Sequence, residues 1–229
     1  MSIAKRISGY IGIALAIILV TILVTITFKL TDALQVFPFN SNANEPTILR
    51  GRIVFTSNLK EPGRFDFIFF NNRSQPGSTW LSRICGMPGD SVEIRSGDLY
   101  VNGKAVDSLF TLSHSYIVSM KDTATLHLPA GNPPLIISEE NALVVVPDNK
   151  IKKSGIHYSR YVLPAEVIDA QVKKTFGEEW NIDNFGPVAV PKNSYFLLGD
   201  SRTGSVDSRY IGFVNKKDFR GTLLFYHLK

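Results

Sequence analysis

The chain has 229 residues, 44% of them hydrophobic, and its 25 basic and 20 acidic side chains give a formal net charge of +5. This small positive excess, without a long run of like charges or a basic stretch interleaved with aromatic residues, argues against a nucleic-acid partner. Cys85 is the only cysteine, so an internal disulfide is excluded and the domain must be held together by burial alone.

Residues 7–28 form an uncharged, apolar run that predicts a transmembrane helix. A helix rises about 1.5 Å per residue, so the run is long enough to cross about 30 Å of hydrocarbon. The alternative, a cleaved secretory signal, has a shorter apolar core of roughly 7 to 15 residues. Lys5 and Arg6 precede the run and Lys29 follows it, which favours a cytoplasmic tail at residues 1–6. We therefore predict a single-pass protein of the cell membrane, in contact with the lipid bilayer, whose main domain lies outside the cytoplasm.

The rest of the chain has the pattern of antiparallel β-sheet. A short connector at residues 29–40 ends in Phe37-Pro-Phe39 and is apolar enough to lie against the bilayer surface. Short β-branched and aromatic runs then predict strands at 53–55, 65–70, 92–94, 99–101, 143–146, 195–198 and 222–226. Turn residues separate several of them, at 60–63, 96–98 and 102–103. Because helical periodicity is weak beyond the apolar run, we predict a mostly β fold preceded by one transmembrane helix.

Three segments of the β region carry the motifs that bear on function. They read Ser41-Asn-Ala-Asn-Glu-Pro-Thr-Ile-Leu49, Ser82-Arg-Ile-Cys-Gly-Met-Pro-Gly-Asp90 and Gly199-Asp-Ser-Arg-Thr-Gly-Ser-Val-Asp-Ser-Arg-Tyr-Ile-Gly212. In this order they resemble the signature boxes of the signal peptidase I family, which are membrane-anchored serine-lysine endopeptidases. The resemblance implies a signal peptidase-like β core at residues 29–106 and 187–229, with an inserted non-catalytic subdomain at 107–186. It also implies an extended polypeptide, either a signal peptide or an exported protein, as the partner.

Both catalytic positions of the family hold other residues in this chain. The nucleophilic serine stands three residues before the proline of a Pro-Thr pair, and that position is Ala43, which has no hydroxyl. The lysine base stands four residues before the glycine of Gly-x-Pro-Gly-Asp, and that position is Ser82, which has no amine. A serine attacks a peptide carbonyl only when a suitable base removes its proton. We therefore predict a member of the family that lacks peptidase chemistry.

Neighbouring positions depart from the family pattern as well. The changed positions are Asn44 for the methionine after the nucleophile, Asn40 for the proline before the first serine, Gly51-Arg52 for Gly-Asp, and Ser201 for the asparagine of Gly-Asp-Asn-Arg. A trap variant made in the laboratory would change one catalytic residue and leave its neighbours intact. Several concurrent changes therefore favour a naturally inactive paralogue.

The resemblance also identifies residues that frame the site and are retained. Ser41 matches the serine that helps to line the family's oxyanion hole, with the backbone N–H of Ala43 as a second donor. Ser205 matches the residue that hydrogen-bonds the lysine in active members. The last box also supplies charged residues around the site, the bracing pair Asp207 and Arg209 and, in the same loop, Asp200 and Arg202. Without the other two boxes, this loop would be interpreted as a polar β-turn.

Other reactive residues suggest no alternative centre. The histidines have neither metal-ligand spacing nor a triad context, so we expect no metal and no cofactor; they are His114, His127, His157 and His227. We expect Cys85 to be a small buried hydrophobe rather than a thiol nucleophile. Relocated catalysis would need Ser41 or Ser82 together with a lysine such as Lys60 or Lys192.

Three functions remain open on this sequence. The first is a pseudopeptidase, which binds an extended segment of an exported protein by main-chain pairing along a strand edge and does not cleave it. The second is an active signal peptidase that cuts signal peptides from preproteins with relocated catalytic groups. The third is a membrane-anchored assembly or scaffold factor, in which the inserted subdomain performs the function.

Overall fold

The computed structural model describes residues 3–31, 33–128 and 132–226. Part of one predicted surface loop, residues 129–131, lies outside the described residues, and so does His227. The described chain contains one long apolar helix followed by a β-rich domain.

The long helix α1 (Ile3–Leu30) contains the apolar run. Its stretch Tyr10–Phe28 has a mean hydropathy of 2.8, and none of it is buried against the rest of the protein. The threonine hydroxyls inside the helix donate to backbone carbonyls one turn back, as Thr21 does to Ile17 at 2.9 Å. These polar side chains therefore need no water. By length and composition, α1 is suited to cross a membrane once.

The domain that follows is built from short strands. The strands are β1 (Gln35–Phe39), β2 (Arg52–Ser57), β3 (Phe67–Asn71), β4 (Thr79–Gly86), β5 (Ser91–Arg95), β6 (Asp98–Val101), β7 (Lys104–Ala105), β8 (Ser113–Ser119), β9 (Leu135–Ile136), β10 (Asn141–Pro147), β11 (Tyr158–Arg160), β12 (Phe185–Ala189), β13 (Ser194–Leu198), β14 (Val214–Asn215) and β15 (Phe219–Tyr226). The short α-helices are α2 (Asp148–Lys153), α3 (Ala170–Phe176) and α4 (Ser208–Ile211), and the 3-10 helices are Asp107–Leu109, Met120–Leu126 and Lys216–Asp218.

The strands form three antiparallel sheets. The first has the order β1-β2-β15-β3-β4-β13-β14, the second has the order β12-β5-β6-β7, and the third has the order β11-β8-β10-β9. In the first sheet β15 pairs with both β2 and β3, so the early and late parts of the chain build one sheet. This arrangement confirms the prediction of a mostly β, antiparallel fold behind one apolar helix.

Two hairpins of the second sheet close at turns that the sequence predicts. Ser96 and Gly97 have φ angles of 48° and 83°, and Asn102 and Gly103 have φ angles of 52° and 76°. Positive φ at both central residues defines the type I′ turn, whose twist matches that of the flanking strands. Local turn chemistry therefore determines the register of β5, β6 and β7.

The segment that we expected to be a connector is instead the edge strand β1. It pairs antiparallel with β2 along its whole length. Pro38 has no N–H to donate, and a proline is accepted in an edge strand because the outer side of that strand needs no donor. The strand ends two residues before Ser41 and so sets the position of the first box.

Separate apolar clusters lie under the second and third sheets. The cluster of the second sheet includes Cys85, Val92, Ile94, Leu99, Phe196 and, from the region after β11, Leu163, Val172, Trp180 and Phe185. The cluster of the third sheet includes Tyr116, Val118, Leu126, Val144, Val146 and Ile151. The third sheet thus has its own core, whereas part of the region at 163–185 packs on the second sheet. The proposed boundaries of the inserted subdomain, 107 and 186, stay a prediction.

Arg64 and Asp90 form an ion pair at the turn that follows β4. Arg64 Nη2 donates to Asp90 Oδ1 at 2.9 Å, and its Nη1 contacts the other oxygen. Burial opposes ionisation of Asp90, but hydrogen bonds from Arg64, Asn102 and the N–H of Met87 outweigh it and hold the pKa of this carboxyl below its ordinary value. A carboxylate whose pKa falls on folding stabilises the protein above its unfolded-state pKa of about 3.9. That contribution is lost as the pH falls through the lower, folded-state pKa.

We therefore expect Arg64→Met to lower the melting temperature at neutral pH, and the difference from wild type to shrink as the pH falls below about 4. Thermal unfolding followed by circular dichroism across this pH range measures both differences. Arg95→Met, which removes a more exposed pair with Glu93, is the matched control and should shift the melting temperature much less. A difference for Arg64→Met that stays constant with pH would mean that the arginine acts through packing alone.

Candidate functional site

A groove between β1 and β4 contains both positions at which the chain departs from the catalytic dyad. Its cavity of about 470 Å³ is lined by the end of β1 and the residues after it, by residues 79–82 of β4, and by Gly204 and Val206 of the last box. Ser41, Ala43 and Ser82 all belong to this lining. Side chains from three distant parts of the sequence are therefore brought to one cavity, which we call the groove.

The wall of the groove formed by β4 has a strand edge that its neighbour does not cover. Residues 79–83 of β4 pair with β3, whereas β13 on the other side pairs only with residues 83, 84 and 86. The stretch 79–82 therefore pairs with a described strand on one side only. Such an edge can accept an added strand from a ligand.

Ser41 and Ala43 are hydrogen-bonded to each other. The N–H of Ala43 donates to Ser41 Oγ at 3.1 Å, so one of the two donors expected for an oxyanion hole is already used within the protein. The proton of the Ser41 hydroxyl is still available, because the oxygen of that hydroxyl is the acceptor in this bond. Of the two expected oxyanion-hole donors, only the hydroxyl of Ser41 is therefore available in this conformation.

The carbonyl of Ala43 is held by the last box. It accepts the N–H of Ser201 at 3.0 Å. Gly199 lies against the same carbonyl, and a Cβ built on Gly199 would overlap both this oxygen and the side chain of Ser205. Glycine is therefore required at position 199 because the backbone of the first box approaches so closely.

Asn44, which stands where the family has methionine, ties the first box to β4. Its side chain is fully buried, and its Nδ2 donates to the carbonyl of Leu81 at 2.7 Å. Its Oδ1 has no hydrogen-bond partner among the described residues, which costs about 1–3 kcal/mol for a buried polar atom. The bond joins the residue after Ala43 to the residue before Ser82, and so sets the separation of the two dyad positions.

Ser82 has a short hydroxymethyl side chain at the position where active members of the family have the long side chain of lysine. The residue is 3% exposed and lines the groove. Among the described residues, no lysine and no histidine lines this cavity. Lys60 pairs with Asp66, with 3.2 Å between Nζ and Oδ1, and neither Lys60 nor Lys192 reaches the groove lining. The structure therefore does not bring either lysine to Ser41 or Ser82.

Asp207 and Arg209 form a buried pair in the last box. Arg209 Nε lies 2.9 Å from Asp207 Oδ1, and Arg209 Nη2 lies 2.8 Å from Oδ2. Ser205 Oγ donates to Asp207 and also lies 3.4 Å from Arg209 Nη2. Ser205 is thus satisfied by neighbours in its own loop, without an ammonium group beside it.

Arg83 and Asp200 form a second buried pair, and the sequence analysis did not identify Arg83. Its Nε and Nη2 donate to the two oxygens of Asp200 at 2.7 and 2.5 Å. The guanidinium also lies over the rings of Phe67 and Phe110, at 4.1 and 4.5 Å from their centroids. Thr47 of the first box donates to the same aspartate. Asp200 therefore connects all three boxes. In the sequence, the only indication that Arg83 belongs to the site was its place in the middle box.

The last box is also bonded to the third sheet. Arg202 is buried, and its Nη1 donates to Asp107 Oδ2 at 2.7 Å. Burial disfavours the charge of Arg202, but Asp107 outweighs this and raises the pKa of the guanidinium. The N–H of Ser113 donates to the carbonyl of Asp200 at 3.0 Å, and the N–H of Arg202 donates to the carbonyl of Ser113 at 2.9 Å. The start of β8 is thus fixed directly to the loop that borders the groove.

Cys85 is completely buried in the apolar cluster under the second sheet. Burial raises the pKa of its thiol to about 12, and the smaller effects of Arg202 and Asp107 oppose each other. The expectation of a buried, hydrophobe-like cysteine agrees with this placement.

We therefore expect Cys85 to react with iodoacetamide roughly a thousandfold more slowly in the folded protein than after unfolding in urea, because only the thiolate reacts. Mass spectrometry of the alkylated protein measures the two rates, and the lone cysteine makes the signal unambiguous. Rapid labelling of protein with an unchanged circular dichroism spectrum would show instead that the thiol is accessible.

The protein is of the mostly β class, with one apolar helix before an antiparallel core in which three separate motifs meet at a strand edge. The family model described as "Signal peptidase, peptidase S26" matches residues 10–228, so this chain belongs to that family. Membership accounts for the order of the three boxes along the sequence.

Individual relatives agree with this assignment. "Signal peptidase I P" of Bacillus subtilis subsp. natto is 27% identical over 183 residues, which cover 78% of this chain and 68% of the relative. "Signal peptidase I S" of Bacillus subtilis (strain 168) is 28% identical over 177 residues, covering 77% of this chain and 66% of the relative. The chain thus spans about two thirds of the length of each. A crystal structure of a signal peptidase I from Enterococcus faecalis V583 aligns with 72% of this chain and 97% of its own length, at 23% identity and a TM-score of 0.36.

Proposed function

We propose that this protein is a pseudopeptidase of the signal peptidase I family, which holds an extended segment of an exported polypeptide in the groove without cleaving it. The observation that carries the proposal is the lining of the groove. Ala43 stands at the nucleophile position, Ser82 stands at the base position, and the described lining contains no lysine or histidine. Loss of a serine nucleophile costs about a millionfold in kcat in subtilisin, so hydrolysis by the remaining groups would be very slow.

Binding does not depend on the missing dyad. An extended segment that adds to the edge at residues 79–82 gains main-chain hydrogen bonds, which are independent of its sequence. The carbonyl of Leu81 is the exception in this stretch, because it already accepts from Asn44 Nδ2. Phe37, Phe69 and Trp80 line the same groove and offer apolar surface to alternate side chains of the added strand. The partner that fits is therefore an extended polypeptide with apolar residues, as in the signal region of an exported protein.

We place the bound polypeptide at the outer surface of the membrane. An exposed apolar patch lies on neighbouring strands of the first sheet, with Val36, Ile53 and Phe225 exposed by 51%, 39% and 56%. Phe225 stacks on Phe55 of β2 at 4.4 Å between centroids, so the patch is continuous across three strands. Such a surface next to an apolar helix fits contact with lipid. The basic residues before the helix favour a cytoplasmic amino terminus.

A second candidate function is an active signal peptidase with a relocated nucleophile. The observation in its favour is that the groove lining contains two serine residues, Ser41 and Ser82. Their hydroxyls would need a base, which the described lining does not provide. This candidate therefore depends on a group that enters the groove only when substrate binds.

The full-length protein in liposomes, mixed with a preprotein, distinguishes the two functions. We expect no cleavage product. We also expect a synthetic signal peptide to slow amide hydrogen exchange at residues 37–49, 79–82 and 199–212. A defined product that disappears in Ser41→Ala or Ser82→Ala would overturn the proposal and establish the second candidate. Unchanged hydrogen exchange around the groove at saturating peptide would show that the groove does not bind an extended segment.

A further inference from the structure

A second cavity, which we call the distal cavity, adjoins the groove at the loop that carries Ala43. It has a volume of about 250 Å³ and lies between the first box and the third sheet. Ser41 and Ala43 line the groove, whereas Asn42 between them lines the distal cavity. Val145 of β10 contributes to the opposite wall. Gly204 lines both spaces, so the two cavities meet at this residue.

Gly204 borders both cavities and has no side chain. A Cβ at this position would come within 2.6 Å of Ser201 Oγ. The backbone of Gly204 does not lie in the left-handed region, so conformation alone does not require glycine there. The absence of a side chain matters instead because a Cβ would crowd the hydroxyl of Ser201, which lines the distal cavity.

Two serine residues, Ser113 and Ser201, line the distal cavity, and neither hydroxyl bonds another side chain of the described residues. Ser113 and Ser201 are only 3% and 4% exposed. Neither hydroxyl oxygen belongs to the buried atoms that lack a partner, so both are open to the cavity and can bond a polar ligand group. Ser201 stands where the family has asparagine, and the shorter side chain leaves more room in the cavity.

The remaining polar groups of the distal cavity carry no net charge. Glu45 and Lys150 contribute one charge of each sign, and Lys150 Nζ is 3.3 Å from the carbonyl of His127. Asn132 donates from Nδ2 to the carbonyl of Val145 at 3.0 Å, which leaves its Oδ1 as an acceptor. This combination favours an uncharged side chain that both donates and accepts hydrogen bonds, such as serine, threonine or asparagine.

We propose that the distal cavity is a second subsite for the same bound polypeptide and takes an uncharged polar side chain from the segment that continues beyond Ala43. This inference rests on the proposed function. An active peptidase cuts the bound polypeptide beside the nucleophile position and releases one product. A protein without the dyad leaves the bound polypeptide uncut at Ala43. Contacts on both sides of Ala43 are then made by one molecule, so the second contact forms at a high effective concentration and strengthens binding.

Two synthetic peptides test the inference on the full-length protein in nanodiscs. Both contain an apolar segment that ends in Ala-Gln-Ala, and one continues into a tail of serine, threonine and asparagine. By fluorescence anisotropy we expect the tailed peptide to bind roughly tenfold more tightly. Ser201→Asn, which narrows the distal cavity, and Ser113→Ala, which removes a hydroxyl, should each reduce this preference. Ser113 does not line the groove, so Ser113→Ala should also leave the affinity of the short peptide unchanged. Ala105→Val, exposed on β7, is the control and should change neither affinity.

A photo-reactive residue in the tail gives an independent readout, and we expect it to label residues 42–46 or 145–147. Equal affinities of the two peptides, with the tail labelling neither segment, would overturn the distal subsite and leave the proposed function in place. Failure of both peptides to bind would overturn the proposed function itself.

Discussion

Ala43→Ser combined with Ser82→Lys is expected to convert this protein into a peptidase. The frame that a dyad needs is already built, because Asp200 joins the three boxes and the pair of Asp207 with Arg209 holds the last box. Position 82 is 3% exposed, so desolvation would lower the pKa of a lysine there from its ordinary value of about 10.4. We expect a cleavage rate at least about a thousandfold above that of either single variant, since neither alone has both a nucleophile and its base.

Cleavage of a preprotein in liposomes, followed by mass spectrometry of the products, measures this effect. The rate should rise with pH through the pKa of the new lysine, because only the neutral amine accepts the proton. Ala43→Ser with Ser82→Arg is the matched control and should be inactive, since arginine stays protonated. A folded Ser-Lys variant that gives no product would contradict the view that only the dyad is missing. Asn44 and Ser201, which also depart from the family pattern, would then be the next residues to change.

Arg209→Met should produce the largest loss of stability among single changes at the site, about 3–5 kcal/mol. Both partners of this pair are almost fully buried, with Arg209 and Asp207 each 1% exposed. The substitution leaves the Asp207 carboxylate without its counter-charge, and it also removes the donor to the carbonyl of Arg202 at 2.5 Å. Urea unfolding followed by tryptophan fluorescence, under the same conditions for each variant, measures the change in free energy.

Lys173→Met is the control for this experiment, because its pair with Glu179 is exposed on both sides and should change stability very little. The double change Arg209→Met with Asp207→Asn should recover part of the loss, since it removes the unpaired charge. Together with wild type and the single change Asp207→Asn, these two variants form a double-mutant cycle. If Arg209→Met were no more destabilising than the control, the buried pair would not be holding the last box.

Local chemistry accounts for the features that the sequence predicts well. The helix α1 follows from the length of one uncharged run, and the turns at 96–98 and 102–103 follow from residues that tolerate positive φ. The strand β1 could not be predicted in this way, because the local sequence around Pro38 argues against a strand. Whether an edge strand accepts a proline depends on its pairing with β2, which a local pattern does not reveal.

The contacts of the site were harder to predict because their partners are far apart in the chain. Arg83 and Asp200 are 117 residues apart, and a motif match places them near one another without indicating that they pair. The bond between the N–H of Ala43 and Ser41 depends on the conformation of one loop. The distal cavity has a wall from the third sheet, where the sequence has no recognisable motif, so nothing in the boxes indicated it.

Because β15 is inserted between β2 and β3, the first sheet cannot close until residues 219–226 have been translated. Until then, β2 and β3 each present an open edge, and open edges are sites of wrong pairing and aggregation. A chain that stops before residue 219 would keep these edges permanently. The first sheet can thus be completed only after residues 219–226 have been synthesised.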